Sequence, residues 1–260
     1  MAISTKRILV SNDDGINAPG LEILERVART LSDDVWVVAP EGEQSGAGHS
    51  LTLTNPLRVR KAGEKRFAVS GTPTDCVMMA INRLMSDNMP TLILSGINRG
   101  GNLAEDITYS GTVAVAVEGT LAAIPSISLS LCIRPEQRTK WETAEKFAPD
   151  VIKSLLALEW PEDVFMNVNF PAFAPEEIKG VKVTMQGRRE IVGNIIEERK
   201  DPRGHKYYWL GLGRELGALG EQTDIKYVRE KWITVTPLHL DMTHHAARKA
   251  LAPSIEKTFD

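Results

Sequence analysis

The sequence predicts an α/β protein: a Rossmann-like, mostly parallel sheet flanked by helices, with a β-hairpin extension and a C-terminal helix suited to oligomerisation. Three observations predict it. Short runs such as "ILV", "VWVV" and "TLIL" are apolar on both faces, as in parallel strands covered by helices on either side. Helical patterns opened by proline or by hydroxyl caps alternate with those runs. Beyond Pro171 the texture changes to strand-like segments joined by turn residues.

Lys6 to Ser11 reads as the first strand, and Pro19 to Leu31 as the first helix, with Leu21, Leu24, Ala28 and Leu31 on one face. Pro19 suits a first helical turn, where its missing N–H has no partner to lose. Val35 to Pro40 is the second strand. A further helix starts at Thr72: a hydroxyl cap, Pro73 in the first turn, and Asp75 three residues after the cap. Thr91 to Gly96 is another buried strand. Val-Ala-Val-Ala-Val within "YSGTVAVAVEGTLAAIPSISLSL" has a strand-like period. Ser110 and Thr112 are good caps, however, and "IPSISLSL" makes the better strand, so Ser110 to Ala123 is assigned as a helix. A helix over about Thr139 to Leu158 and the strand "VFMNVNF" follow. Asp-Pro-Arg-Gly then links two strands as a hairpin, "KWITVTPLHLDMT" supplies a late strand, and "HHAARKALAPSIEKTF" a terminal helix and tail. One domain over 1–260 accounts for this order, with a core of about 1–170 plus 232–238. The β-rich extension and tail cover about 180–230 and 239–260.

Composition narrows the function. The 260 residues carry 31 basic against 34 acidic side chains, a formal net charge of -3, without a polybasic stretch. A nucleic-acid polymer, beyond short ends, or an anionic membrane is therefore not an expected partner. The two cysteines, Cys76 and Cys132, sit apart in apolar segments, which suits a reducing compartment. "MAISTKRILVSNDDG" lacks a long apolar segment of the secretory type, and no uninterrupted membrane-length run occurs. A cytoplasmic location is the expectation.

In an open parallel sheet, ligands bind beyond the carboxyl ends of the strands, near the point where strand order reverses. The first strand ends in Asn12-Asp13-Asp14-Gly15, and the second leads into "PEGEQSGAGHS", with Ser45, Gly46 and His49. The "TLIL" strand runs into "SGINRGGN", with Asn98, and "YSGT" opens the Ser110 helix. Each loop alone is compatible with ordinary turn or capping chemistry. Together they offer two carboxylates with Ser and Asn oxygens, a shell for magnesium, manganese or calcium. They also offer a helix N-terminus with hydroxyls, a cradle for phosphate. A hard cation beside an anion cradle is the equipment of phosphoryl chemistry.

"ILVSNDDGINAPGL", "SGAGHSLTLTNPLR", "SGTPTDCV", "SGINRGGNLAEDITYSGTVAVAVEG", "NVNFP" and "TDIKYVREKWITVTPL" resemble, in order and spacing, the signature segments of the SurE family. That family comprises stationary-phase survival proteins, metal-dependent 5′/3′-nucleotidases acting on nucleoside monophosphates. The resemblance runs from about Ile8 to Leu238. It implies Asp13, Asp14, Ser45 and Asn98 as ligands of one divalent ion per subunit, magnesium or manganese, with calcium able to replace it in crystals. It implies Asn12, Gly46, Ser110, Gly111 and Thr112 as the lining of the phosphate site. It also implies domain-swapped homodimers, often paired as homotetramers. Ala104 and Ala114 stand where the family pattern has glycine, a departure that bears on packing rather than chemistry.

The expected activity is hydrolysis of nucleoside 5′- and 3′-monophosphates, with Asp13 and Asp14 catalytic and the substrate as main partner. Either a water activated by the metal or a carboxylate attacks phosphorus, or Asp13 attacks it directly. A non-catalytic nucleotide or metal sensor is the alternative. A dinucleotide enzyme fits less well, because Asp-Asp-Gly replaces a glycine-rich pyrophosphate turn. His49 reads equally as a general acid or as a loop-stabilising side chain. Glu41 and Glu43, before Ser45, are places where substrate preference can be altered. Tyr207, Tyr208 and Trp209 suit packing in a core or interface. His239, His244 and His245 match no zinc spacing, and "GLGRELGALG" is no dinucleotide fingerprint. Thr223 and Asp224 are expected to cap the helix before "WITV".

Overall fold

Alternation along the first strand sets the layering. Ile8 and Val10 of β1 (Ile8–Ser11) face one buried apolar cluster, while Leu9 between them faces another. Leu92 and Leu94 against Ile93 repeat the division one strand away. A strand that is apolar at every position thus feeds two cores, one on each face of the sheet. The computed structural model describes residues 6–189, 194–212 and 220–258.

The elements follow in order as α1 (Pro19–Arg29), β2 (Val35–Pro40), β3 (Val59–Gly63), β4 (Arg66–Val69) and α2 (Pro73–Met79), which continues in wider turns over Ala80–Leu84. Then come β5 (Leu92–Arg99), α3 (Gly111–Leu121), β6 (Ser126–Leu131), α4 (Trp141–Leu156), β7 (Val164–Phe170) and β8 (Gly180–Val183). The chain closes with β9 (Asn194–Lys200), β10 (Lys206–Leu212), α5 (Asp224–Arg229), β11 (Trp232–His239) and α6 (His245–Ile255). Among the described residues, nine strands form one sheet in the order β3-β4-β2-β1-β5-β6-β7-β11-β8. β4, β2, β1, β5, β6 and β7 run parallel, β11 is antiparallel to β7, and β3 is antiparallel to β4. The order reverses between β1 and β5, so the cleft at their carboxyl ends is the topological switch point.

α1 and α4 supply Leu21, Leu24, Ala148 and Ile152 to one core, while α2 supplies Cys76 and Val77 and α3 supplies Val115 to the other. The helix starts are as local chemistry dictates. Thr72 and Asp75 form a reciprocal capping box: Asp75 N donates to Thr72 Oγ1 at 3.1 Å, and Thr72 N donates to Asp75 Oδ2 at 2.8 Å. The Val-Ala-Val-Ala-Val segment is helical, with Ser110 Oγ accepting from Val113 N at 3.0 Å.

Three features differ from the sequence expectation. β3 and β4 form an antiparallel edge pair where no strand is expected, because "VRKAG" and "RFAV" carry charge and β3 is almost wholly exposed. β8 joins the main sheet beside β11 rather than the extension, since β11 offers it an edge to pair with. Thr223 makes no side-chain cap; its hydroxyl donates to Gly220 O at 2.8 Å, and Asp224 turns to a different task, described below. The hairpin β9–β10 stands apart as its own two-stranded sheet, turned at Asp201 to His205. His244 and His245 begin α6 as a cap and an ion pair with Asp241. Cys76 and Cys132 are both unbridged. Most of "GLGRELGALG" lies outside the described residues. Among those described, no helix is long and apolar enough to cross a membrane.

Candidate active site

β1 ends buried at Ser11, and just past Asn12 the adjacent Asp13 and Asp14 bring carboxylates into the switch-point cleft. Asp13 is 5% exposed. Its Oδ1 accepts from Thr112 Oγ1 at 2.5 Å, and its carboxylate also accepts from the backbone amides of Gly111 and Thr112. A carboxylate from β1 therefore occupies the N-terminus of α3, where amides and helix dipole favour negative charge. Burial pushes the Asp13 carboxyl above its ordinary range, and these hydrogen bonds oppose the rise. Asp14 Oδ2 accepts from Arg99 N at 3.3 Å, so β5 holds the second carboxylate. Burial first, and then the charge of Asp13, push Asp14 up to about 6, and Glu43 adds to the same effect.

Gly111 has no choice of side chain. A Cβ there would stand 2.7 Å from Asp13 Cβ and 2.9 Å from Pro73 Cγ. Its place at the start of α3 is what allows Asp13 to reach the helix end.

The second-strand loop is tied to the same corner at both sides. Gln44 N donates to Asp13 O at 2.8 Å, and Gly48 N donates to Tyr109 O at 3.1 Å, next to Ser110. Ser45 and Gly46 lie exposed between these two ties, Gly46 with φ of 79°. Ser45 Oγ donates to Glu43 Oε1 at 2.8 Å. Asn98, half-buried near the end of β5, donates from Nδ2 to Gly100 O at 2.9 Å, which leaves its Oδ1 as an acceptor. Asn12 donates from Nδ2 to Gly15 O at 3.1 Å, while its buried Oδ1 has no partner. Ser11 Oγ and Ser95 Oγ, register partners on β1 and β5, are buried without partners too. Three orphaned polar atoms beneath two crowded carboxylates mark a place built for an additional polar species.

The nine expected site residues thus sit on four segments at one sheet edge. Asp13, Gly111 and Thr112 are in direct contact, and Ser110 serves as the cap of the same helix. Asn12's unpartnered atom is an acceptor, which suits a cation or a protonated ligand rather than a bare phosphate oxygen. His49 Nε2 lies 2.8 Å from Glu118 Oε2 on α3, an anchor for the loop. Two contributors were not legible as site residues. Glu43 is a third carboxylate close enough to raise Asp14, and Arg99 acts through its backbone amide. The acidic spacing before Ser45 was the only sequence signal for Glu43, and a backbone donor leaves none.

Parallel strands, a reversal between β1 and β5, and an acidic cleft against a helix N-terminus define a doubly wound α/β protein with a cation- and phosphate-compatible switch-point site. A family model described as survival protein SurE matches residues 8–192. A 5′-nucleotidase SurE of Parvibaculum lavamentivorans is 53% identical over 247 residues, covering 94% of this chain and 89% of the relative. A 5′-nucleotidase SurE of Paramagnetospirillum magneticum is 55% identical over 248 residues, with 95% of each chain covered. The crystal structure of the SurE protein from Aquifex aeolicus superposes with a TM-score of 0.81 at 41% identity, covering 95% of this chain and 98% of that one. The chain belongs to the SurE family.

Proposed function

We propose that this protein is a metal-dependent phosphomonoesterase that hydrolyses nucleoside 5′- and 3′-monophosphates to nucleoside and phosphate. The observation that carries the reading is the pair Asp13 and Asp14, one buried against the start of α3 and the other half-buried against the end of β5, adjacent although their charges repel. Names of relatives at 53% and 55% identity support the same activity.

The donor set fits a hard divalent ion. Asp13, Asp14, Ser45 and Asn98 present oxygens only, and the orphaned Asn12 Oδ1 adds acceptor capacity at their base. Such an ion, magnesium or manganese and one per subunit in this reading, would neutralise phosphate oxygens and lower the pKa of a bound water.

The chain's own residues supply the rest. Thr112 and the α3 amides fix the orientation of Asp13, and the Arg99 amide fixes Asp14. Gly46, with no side chain, lets backbone approach the phosphate from the second-strand loop, and the Ser110 hydroxyl hydrogen remains available as a donor. An in-line water attacks phosphorus, the ester P–O bond breaks, and the leaving oxygen takes up a proton. Beside the cation, one of the two carboxylates, Asp13 or Asp14, is placed to accept the proton of the attacking water. The contact between His49 and Glu118 supports loop anchoring over proton donation for His49.

The reading includes a homodimer or homotetramer. Ile195, Ile196, Tyr208, Trp209 and Leu210 on the hairpin are exposed, as are Leu251 and Ile255 on α6, more apolar surface than a lone subunit keeps in water. Two unbridged cysteines support a cytoplasmic location.

Phosphate release from AMP and GMP, with magnesium or manganese and then with EDTA, tests the activity. Release that depends on the metal is expected. No release with any metal would overturn the reading in favour of a non-catalytic sensor.

A further inference from the structure

A cavity of about 680 Å³ opens at the same edge of the sheet as the acidic corner, in the segments that follow β5, β6 and β7. That size suits a nucleoside, since ligand pockets run about 300–1,000 Å³. Its floor is apolar: Leu103, Ile225 and Val228 form a buried cluster with Cys132 packed against it. Burial pushes the Cys132 thiol up to about 12, so this wall is uncharged at neutral pH. The cavity adjoins the acidic corner through Gly100, a wall residue whose carbonyl accepts the Asn98 side chain at 2.9 Å.

Three arginines and the Asp106 carboxylate add charge to the wall. Arg189 is committed, paired with Asp106 at 2.8 Å and donating to Leu103 O at 3.3 Å. Arg134 is held differently: its guanidinium carbon lies 3.9 Å from the centre of the Phe173 ring. Neither Arg134 nor Arg229, which also lines the cavity, has a carboxylate within ion-pair distance among the described residues; Glu177, held below its ordinary range mainly by the hydrogen bond from Lys231 and in part by the Arg134 charge, is paired with Lys231 instead. A guanidinium on an aromatic face keeps its N–H fork for ligands that offer two acceptors in one plane. Guanine and hypoxanthine carry such a pair, the C6 oxygen and N7, whereas adenine replaces the oxygen by an amino donor.

We propose that this cavity receives the base of the substrate and that Arg134 selects 6-oxopurines, with Arg229 adding a second donor. The proposal rests on the nucleotidase reading and names the substrate that the site prefers. An apolar floor accepts the flat ring system, and the phosphate reaches back past Gly100 to Asp13 and Asp14. Pyrimidines are smaller, fill the cavity poorly and lack the six-membered-ring oxygen beside an imidazole N7 that the fork reads in a 6-oxopurine.

The test compares kcat/KM for GMP and AMP in the manganese-loaded enzyme, Arg134→Ala and Arg134→Lys. The intact enzyme is expected to prefer GMP. Arg134→Ala is expected to lower the GMP-to-AMP ratio about tenfold, through KM, and Arg134→Lys, which lacks the planar fork, is expected not to restore it. A ratio unchanged in Arg134→Ala would overturn the proposal. If Arg134→Ala fails to fold, Arg229→Ala, at an exposed position, is measured for the same fall in ratio, and its absence overturns equally. Should the intact enzyme cleave neither nucleotide, the nucleotidase reading falls, and the cavity is judged on phosphate-free guanosine and adenosine by NMR titration. Tighter guanosine binding that weakens in Arg134→Ala upholds the cavity as a 6-oxopurine site; equal binding, or none, overturns it.

Discussion

Thr112 Oγ1 donates to Asp13 Oδ1 at 2.5 Å across 99 residues of sequence, locking the end of the first strand onto the first turn of α3. Both groups are buried, so the contact is dry and each is committed to the other. Asp13 is thereby fixed before any ligand arrives. In the proposed nucleotidase reading, a carboxylate fixed in this way is preorganised for transition-state stabilisation.

Asp13→Asn is expected to lower phosphate release by at least about 10³-fold, since it removes one of the two charges facing the cation and the phosphoryl group. The fold is expected to survive, because burial already disfavours the Asp13 charge. Steady-state release from AMP together with a thermal melt checks both halves.

Metal-free stability is expected to depend on Asp14 in a definite direction. Its pKa is raised from 3.8 to about 6, so between those values the folded state binds more protons than the unfolded chain. The group's contribution is therefore most favourable at low pH and is lost as pH rises through about 6. Asp14→Asn is expected to raise the metal-free Tm relative to the parent, by more at pH 8 than at pH 5. Adding manganese at pH 8 is expected to stabilise the parent and leave the variant with little gain. Melts at the two pH values, with and without metal, read this out.

Gly111→Ala is expected to destabilise by about 1–3 kcal/mol, as an added methyl does in a filled core. The contact is with Asp13 and Pro73, so α3 or Asp13 must shift. Activity is expected to fall more steeply than stability, measured as kcat on protein kept well below its melting point.

Asp224 secures the segment that leads to Ser110. Its carboxylate accepts from the amides of Ala104 at 3.0 Å, Gly187 at 2.8 Å and Ile225 at 2.7 Å, although burial pushes its pKa up. Asp224→Ala leaves three amides without this acceptor and is expected to cost about 3 kcal/mol or more. Chemical denaturation gives the size, and faster hydrogen exchange at Ala104 and Gly187 gives the location.

Local chemistry was legible throughout the core. Pro19, the Thr72–Asp75 box and Ser110 mark helix starts within a turn, and all three helices form there. The edge pair β3–β4 was not legible, because its strand character comes from pairing with β2 and not from an apolar pattern. At the site, the loops could be gathered from the switch-point rule, yet their division of labour could not. The α3 N-terminus looks like a phosphate cradle in sequence, but its amides and Thr112 reach Asp13 first. Asp224 follows a cap-like Thr, and only the folded chain brings Ala104 and Gly187 to it. Contacts across such separations leave no periodicity to read.

In the proposed function, Asp13 and Asp14 stay close because a divalent ion belongs between them and phosphate. Anomalous diffraction from a crystal soaked in manganese and phosphate measures this most directly. One peak per subunit is expected within about 2.5 Å of carboxylate oxygens from both aspartates, with phosphate against it. A crystal with no peak there, or with manganese bound elsewhere and the two carboxylates turned apart, would contradict it.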